Sequence, residues 1–160
     1  MYVALRPFSR RKYLLTPPEK RFYNVLRRIV DGNKIMAKVR LADLVEADER
    51  HLLRESNFDF IKSKHIDFVI CDAALSPIIA VELDDSSHRR PDRVARDRDV
   101  NRILEIASLP ILRVPVRRTY DEQEIAGQIL VKIRSAKWTA RSETPRKYLI
   151  FGIKAFGNGC

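Results

Sequence analysis

Two short apolar runs in this chain carry acids that a buried strand would not tolerate without compensation. Asp67 interrupts the run 66–70, and Glu82 and Asp84 lie in the run 78–85. Runs rich in Val, Ile and Phe that end at turn residues predict buried strands. Burying an unpaired carboxylate in such a strand costs more free energy than one hydrogen bond returns. A bound divalent cation is the simplest compensation, and it would make these acids a metal site.

The spacing of the two runs predicts that their acids meet. A loop with hairpin composition separates them, and the register is set by pairing Cys71 with Ile78. Asp67 then lies opposite Glu82, with Cβ atoms roughly 5 Å apart. Because side chains alternate with period two, Asp84 would join the same face, whereas a slip of one residue would turn Asp67 away. Three converging carboxylates repel one another unless a proton or a metal ion lies between them.

Each of these acids also has a structural explanation. Asp67 and Glu82 could be strand-edge acids that face water or pair with Arg, although their apolar context favours a site. Asp84 could be a third ligand, a residue that orients a metal-bound water, or the acid that begins the following loop. His88 could act as a general acid or base, since its ordinary pKa is about 6.5, or it could be a surface residue.

Basic residues gather at both ends of the chain, which has a net charge of +10. Residues 1–30 carry eight Lys and Arg against one Glu, and residues 131–160 carry seven against one. An acidic centre between basic flanks suits a metal site beside a phosphate-binding surface, although a solubilising surface would look similar. We therefore expect nucleic acid, most simply DNA, as the partner.

Specific side chains could make that contact. Arg89 and Arg90 precede a predicted helix and are candidate phosphate ligands, as are Arg93 and Arg96 within it. The last two could instead form a salt-bridged helix face with aspartates four residues away. Four aromatic residues lie among basic ones and could stack on exposed bases or simply pack, namely Tyr2, Tyr13, Trp138 and Tyr148.

Composition excludes other classes. A chain of 160 residues with 45% hydrophobic content can form one domain with a real core. No stretch approaches the roughly 20 apolar residues of a membrane helix, and the basic N-terminus lacks the apolar core of a signal peptide. Two cysteines make neither a disulfide framework nor a four-cysteine zinc site. We therefore expect a cytoplasmic protein without a membrane partner.

The elements that must position these residues can be read from periodicity and capping. Thr16, Pro17 and Glu19 form a capping box that begins a helix, and Gly32 is expected to end it. We predict one α/β domain over 14–136, a basic arm over 1–13 and a basic tail over 137–160. Its small mixed sheet would have helices on both faces and a right-handed parallel crossover. Besides the hairpin, the predicted elements are strands at 35–41 and 111–116 and helices at 92–108 and 120–136.

This arrangement resembles the core of the restriction-endonuclease-like (PD-(D/E)xK) nuclease superfamily, in which a strand aspartate, a hairpin and a second strand acid follow one another. The string Glu-Leu-Asp-Asp-Ser-Ser-His at 82–88, with Arg96-Asp97 and Leu-Pro-Ile-Leu-Arg at 109–113, is more specific. It resembles an uncharacterised bacterial domain family on the very-short-patch-repair-endonuclease-like branch. The resemblance covers roughly residues 14–131.

The resemblance implies a metal-dependent nuclease that binds DNA and hydrolyses phosphodiester bonds. It also allows a homodimer, since many nucleases of this fold class pair to cut two strands. Asp67 and Glu82 would hold Mg²⁺ or Mn²⁺, and Glu19 would face the same cleft. The superfamily places a lysine two residues after the strand glutamate, where this chain has Asp84. His88 would then replace that lysine, or Lys64 or Arg96 would supply its charge.

Three functional hypotheses remain open at this point. The first is the nuclease, and the second is a catalytically inactive nucleic-acid-binding module that retains the nuclease fold. The third is a protein-interaction adaptor whose basic ends contact an acidic partner. Lys64 itself could equally be a solvent-exposed residue at the flank of its strand.

Overall fold

The computed structural model describes residues 8–46, 61–84 and 91–139, and these residues form an α/β domain. The elements in chain order are α1 (Pro17–Ile29), β1 (Lys34–Arg40), a single 3-10 turn (Leu41–Asp43), β2 (His65–Cys71), β3 (Pro77–Asp84), α2 (Pro91–Ile106), β4 (Ile111–Pro115) and α3 (Glu122–Thr139). The predicted strands and helices are therefore found, with ends shifted by a few residues.

A single four-stranded mixed sheet, in the order β1-β2-β3-β4, forms the centre of the domain. The pairs β1–β2 and β2–β3 are antiparallel, and β3 pairs with β4 in parallel. The parallel pair is connected through α2, as the order strand, helix, strand predicted. The expected mixed sheet with helices on both faces is thus confirmed.

Helix α1 begins as the sequence predicts but ends earlier than expected. Pro17 occupies the first turn, and the carboxylate of Glu19 accepts a hydrogen bond from the backbone N–H of Thr16 at 2.9 Å. Such a bond satisfies an amide that the helix itself leaves unpaired. The helix ends at Ile29 because Val30 adopts an extended backbone, and Gly32 instead forms the following turn with a φ of 74°.

Two apolar clusters cover the two faces of the sheet. The first contains Phe22 of α1, Phe68 of β2 and Ile129 of α3, and all three side chains are fully buried. The second contains Leu104 of α2 and Val69 of β2. Burying one such side chain contributes about 1.5–3 kcal/mol, so these clusters stabilise the sheet that carries the polar residues.

The β2–β3 hairpin keeps the predicted register over most of its length. Ile70 pairs with Ile79, as the expected alignment requires. The premise for that alignment was wrong by one residue, because Cys71 pairs with Pro77 and an irregularity separates it from Ile70. Asp72 closes the loop by accepting N–H bonds from two residues within it, which favours this compact connection.

Both β1 and β2 change the face they bury at the same level. Ala37 packs against the first cluster, whereas Val39 packs against the second. Likewise Phe68 belongs to the first cluster and Ile66 to the second. Residues two apart share a face in a regular strand, so the alternation is interrupted once in each strand.

Candidate functional site

One charged residue from each strand lies at the level of this interruption. Lys38 of β1 and Asp67 of β2 lie between the flanking backbone pairs of their ladder. Glu82 of β3 follows the last pair of the β2–β3 ladder, and it pairs directly with Arg113 of β4. We call these four residues the charged row, whose signs run plus, minus, minus, plus across the sheet.

Lys38 is the most unusual member of the row. Its backbone φ is 57°, a left-handed value that side-chain-bearing residues rarely adopt in a strand. Its ammonium donates to Asp67 Oδ1 at 2.7 Å and to Glu19 Oε1 at 2.8 Å. A sparsely populated backbone conformation costs about 1–3 kcal/mol and persists only when surrounding contacts hold it. The two ion pairs are such contacts.

Glu19 belongs to both the helix and this site. One carboxylate oxygen caps α1, and the other accepts a hydrogen bond from Lys38. Burial alone would raise the pKa of Glu19, but the hydrogen bonds from Lys38 and Thr16 hold it below its ordinary value. Burial alone would lower the pKa of Lys38, but Asp67 and Glu19 raise it above its ordinary value.

Asp67 is held on both of its oxygens. Oδ1 accepts from Lys38, and Oδ2 accepts from the backbone N–H of Leu83 in β3 at 3.1 Å. The Asp67 side chain is 20% exposed. A half-buried carboxylate with two donors in fixed positions has a defined orientation, which is what a ligand or a catalytic group needs.

The surroundings of Glu82 oppose its ionisation. Its side chain is 18% exposed, and Oε2 accepts from Arg113 Nη1 at 2.9 Å. Arg113 also donates to Asn101 of α2 and lies 3.6 Å from a carboxylate oxygen of Asp97. Burial raises the pKa of Glu82, and the charges of Asp67 and Asp97 raise it further, which outweighs the opposite effect of Arg113.

The donor chemistry of this pair fits a hard divalent cation. Asp67 and Glu82 offer carboxylate oxygens on neighbouring strands, and the charge of one opposes ionisation of the other. Mg²⁺ is commonly held by one or two carboxylates, with waters and substrate phosphates completing its shell. A cation between the two acids would relieve their repulsion.

The predicted convergence of three carboxylates is not found. Among residues 8–46, 61–84 and 91–139, no group of three or more His, Cys, Asp or Glu side chains is placed to hold a metal ion. The reason lies in the row itself, because Asp67 binds Lys38 on one side and Glu82 binds Arg113 on the other. Asp84 is half-buried at the end of β3, and its backbone carbonyl accepts from Val116.

Several other predicted residues lie outside what the structure describes. His88, Arg89 and Arg90 fall outside the described residues, as do the side chains of Arg93 and Arg96 on α2. These candidates stay predictions.

The sequence reasoning missed Lys38 and Arg113. Lys64, the expected lysine, directly precedes β2, and its backbone carbonyl accepts from Leu41. The signal for Lys38 was a cation in the centre of the apolar strand 35–41. The signal for Arg113 was a cation within the apolar run 111–114.

The domain is thus a small α/β unit whose mixed sheet carries a row of four charged side chains. A family model described as "Protein of unknown function (DUF2726)" matches residues 11–133, and the chain belongs to that family. No curated protein matches the chain, and no solved structure does either. Within the described part of the chain, no helix combines the length and apolar character needed to cross a membrane.

Proposed function

We propose that this protein is a divalent-metal-dependent nuclease that hydrolyses phosphodiester bonds of DNA. The observation that supports it most is that two half-buried carboxylates on neighbouring strands, Asp67 and Glu82, lie close enough for the charge of Asp67 to raise the pKa of Glu82, while the Lys38 ammonium contacts both Asp67 and Glu19. Phosphodiester hydrolysis needs an activated water and compensation of developing negative charge. Acids and a cation held within one row of a sheet supply groups for both needs.

In this proposal Asp67 and Glu82 bind Mg²⁺ or Mn²⁺. Bound by these two acids, such an ion would supply an activated water at neutral pH and a positive charge for the phosphate oxygens. Asp67 is oriented for this by the backbone of β3, and Glu82 by Arg113. The charge that Asp67 exerts on Glu82 favours cation binding, because each carboxylate is stabilised when a positive charge lies between them.

In this proposal Lys38 takes the part for which the family resemblance suggested His88, Lys64 or Arg96. Its pKa is raised, so the ammonium stays protonated at neutral pH. Its ammonium lies 2.7 Å from Asp67 Oδ1 and its side chain is 32% exposed, so it can reach a phosphate that would be bound through a metal ion at that acid. An ammonium in that place stabilises negative charge that develops on the phosphate oxygens.

The surface next to the site supports a polyanionic substrate. Helix α1, which supplies Glu19, exposes four cations, Lys20, Arg21, Arg27 and Arg28, of which Arg28 is paired with Glu122. Together with the net charge of +10, these cations attract a phosphate backbone toward the row.

The test is DNA cleavage by the purified full chain with Mg²⁺, Mn²⁺ or EDTA. We expect metal-dependent cleavage that falls to background in Asp67→Asn and Glu82→Gln, and that falls about 100-fold in Lys38→Met. Asp31→Asn is the matched control, because Asp31 is an exposed acid that follows α1 outside the row. DNA cleavage that survives in Asp67→Asn and in Glu82→Gln would overturn the proposal.

A second candidate is a nucleic-acid-binding module without catalysis. The specific observation in its favour is that each central acid already has a cation of the protein, Lys38 for Asp67 and Arg113 for Glu82. This candidate predicts salt-sensitive DNA binding, no turnover with either metal, and little change in affinity in Asp67→Ala.

A further inference from the structure

The segment before α1 presents aromatic and apolar side chains to solvent between cations. Phe8 is 84% exposed, Tyr13 is 63% exposed and Leu14 is 72% exposed. Arg10, Arg11 and Lys12 between them are exposed as well. Large apolar side chains clustered at a surface usually mark an interaction site.

Tyr13 is the best-defined part of this segment. The ammonium groups of Lys12 and Lys20 lie 5.4 and 5.8 Å from the centroid of its ring. Leu15, two residues later, packs against the first apolar cluster, and Thr16 is bound to Glu19. The ring is therefore held next to the folded domain although most of its surface is open.

We propose that Tyr13, Lys12 and Lys20 bind one unpaired nucleotide of a single-stranded nucleic acid. The base stacks on the Tyr13 ring, and the two ammonium groups bind the adjoining phosphates. Stacking on an exposed aromatic ring among cations is the common way in which proteins hold single strands without reading sequence. A duplex has no free base face to offer this ring.

The position of Tyr13 connects this contact to the charged row. Lys20 directly follows Glu19, and the Glu19 carboxylate binds Lys38 of the row. Lys20 and Glu19 both lie in the first turn of α1, so a single strand that stacks on Tyr13 binds at the helix end whose Glu19 carboxylate contacts the row. This inference rests on the proposed nucleic-acid function and narrows its substrate to unpaired strands or ends.

The test measures binding alone, in EDTA, so that cleavage plays no part. Full-length protein is titrated into a fluorescein-labelled dT12 strand and into a labelled hairpin duplex at several salt concentrations. Tyr13→Ala should weaken dT12 binding about tenfold, and Tyr13→Phe should stay within about twofold of wild type. Lys12→Gln should weaken binding of both the dT12 strand and the duplex. It should also reduce by about 0.7 the slope of log affinity against log salt concentration for the single strand.

Leu14→Ala is the matched control, because Leu14 is an exposed neighbour without an aromatic ring. Equal dT12 affinity in Tyr13→Ala and Leu14→Ala would overturn the inference, as would an equal loss for the duplex. Vesicles of phosphatidylserine and a polyglutamate peptide are the competing anions. A tenfold Tyr13→Ala loss for either of them would also overturn it.

The outcome is separable from that of the nuclease proposal. A chain that binds dT12 through Tyr13 but never cleaves would support this inference and refute the nuclease. If the wild-type chain cleaves DNA and Tyr13→Ala binds dT12 normally, the nuclease proposal is supported and the Tyr13 inference is refuted.

Discussion

Replacing Lys38 with methionine tests whether the charged row stabilises the fold. The substitution keeps the length and apolar stem of the side chain but removes the two hydrogen bonds to Asp67 and Glu19. Hydrogen bonds to charged groups contribute about 1.5–3 kcal/mol each. Two effects reduce the total. The lysine is 32% exposed and screened by solvent, and ordering its side chain in the ion pairs costs the wild type up to about 2 kcal/mol of side-chain entropy.

The expected net loss in the free energy of unfolding is about 2 kcal/mol. Lys38→Gly provides an internal comparison, since it loses the same bonds but releases the backbone from its strained φ of 57°. Glycine adopts that conformation at little cost, so this variant should be about 1 kcal/mol more stable than Lys38→Met.

Urea unfolding followed by far-ultraviolet circular dichroism at pH 7 measures these differences. Lys34→Met is the matched control, because Lys34 is an exposed lysine of the same strand. It should change stability by less than about 0.5 kcal/mol. A Lys38→Met loss no larger than that of Lys34→Met would refute the argument that the ion pairs hold the strained backbone.

Three further outcomes follow from the same row. Glu19→Gln should lower the free energy of unfolding by about 1 kcal/mol at pH 7. Because the pKa of Glu19 is lowered in the folded state, its contribution to stability is present above the ordinary pKa of 4.5 and disappears as the pH falls through the folded-state pKa. The unfolding free energies of wild type and variant should therefore converge in acid. Asp67→Asn should lower the pKa of Glu82, measured by carbon NMR of its carboxyl group, and an unchanged value would contradict the assigned coupling. Arg113→Met should raise that pKa and cost about 2–3 kcal/mol at pH 7 in thermal unfolding, whereas the exposed Arg118→Met should change little.

The parts of the fold that the sequence predicted are those specified by local pattern. The pairing of Ile70 with Ile79 followed from apolar alternation and a short loop, because a slip would expose the buried set. Helix α1 followed from its capping residues in the same way.

The parts that the sequence did not predict depend on long-range pairing. The contact of Lys38 with Asp67 requires the β1–β2 register, and residues 41–64 separate those strands. No turn signal fixes a register across such a connection. Residue propensities also do not predict the left-handed backbone of Lys38, because tertiary contacts impose it. The sequence therefore indicated the acids Asp67 and Glu82, whereas the cations that contact them were identified only from the folded sheet.

The charges around the row bear on which ligand it suits. Lys38, Arg113, Asp67 and Glu82 sum to zero, Glu19 adds one negative charge through Lys38, and Asp97 adds another through Arg113. A divalent cation between the central acids would turn this net charge of −2 into zero, whereas without the cation a phosphodiester of charge −1 would approach a negative site. Because uncompensated charge is costly in a half-buried place, cation and phosphate should each bind more tightly in the presence of the other. A module that only binds nucleic acid has no reason to show this coupling, so Mn²⁺ affinity measured with and without an uncleavable oligonucleotide separates the two candidate functions even where no turnover is seen.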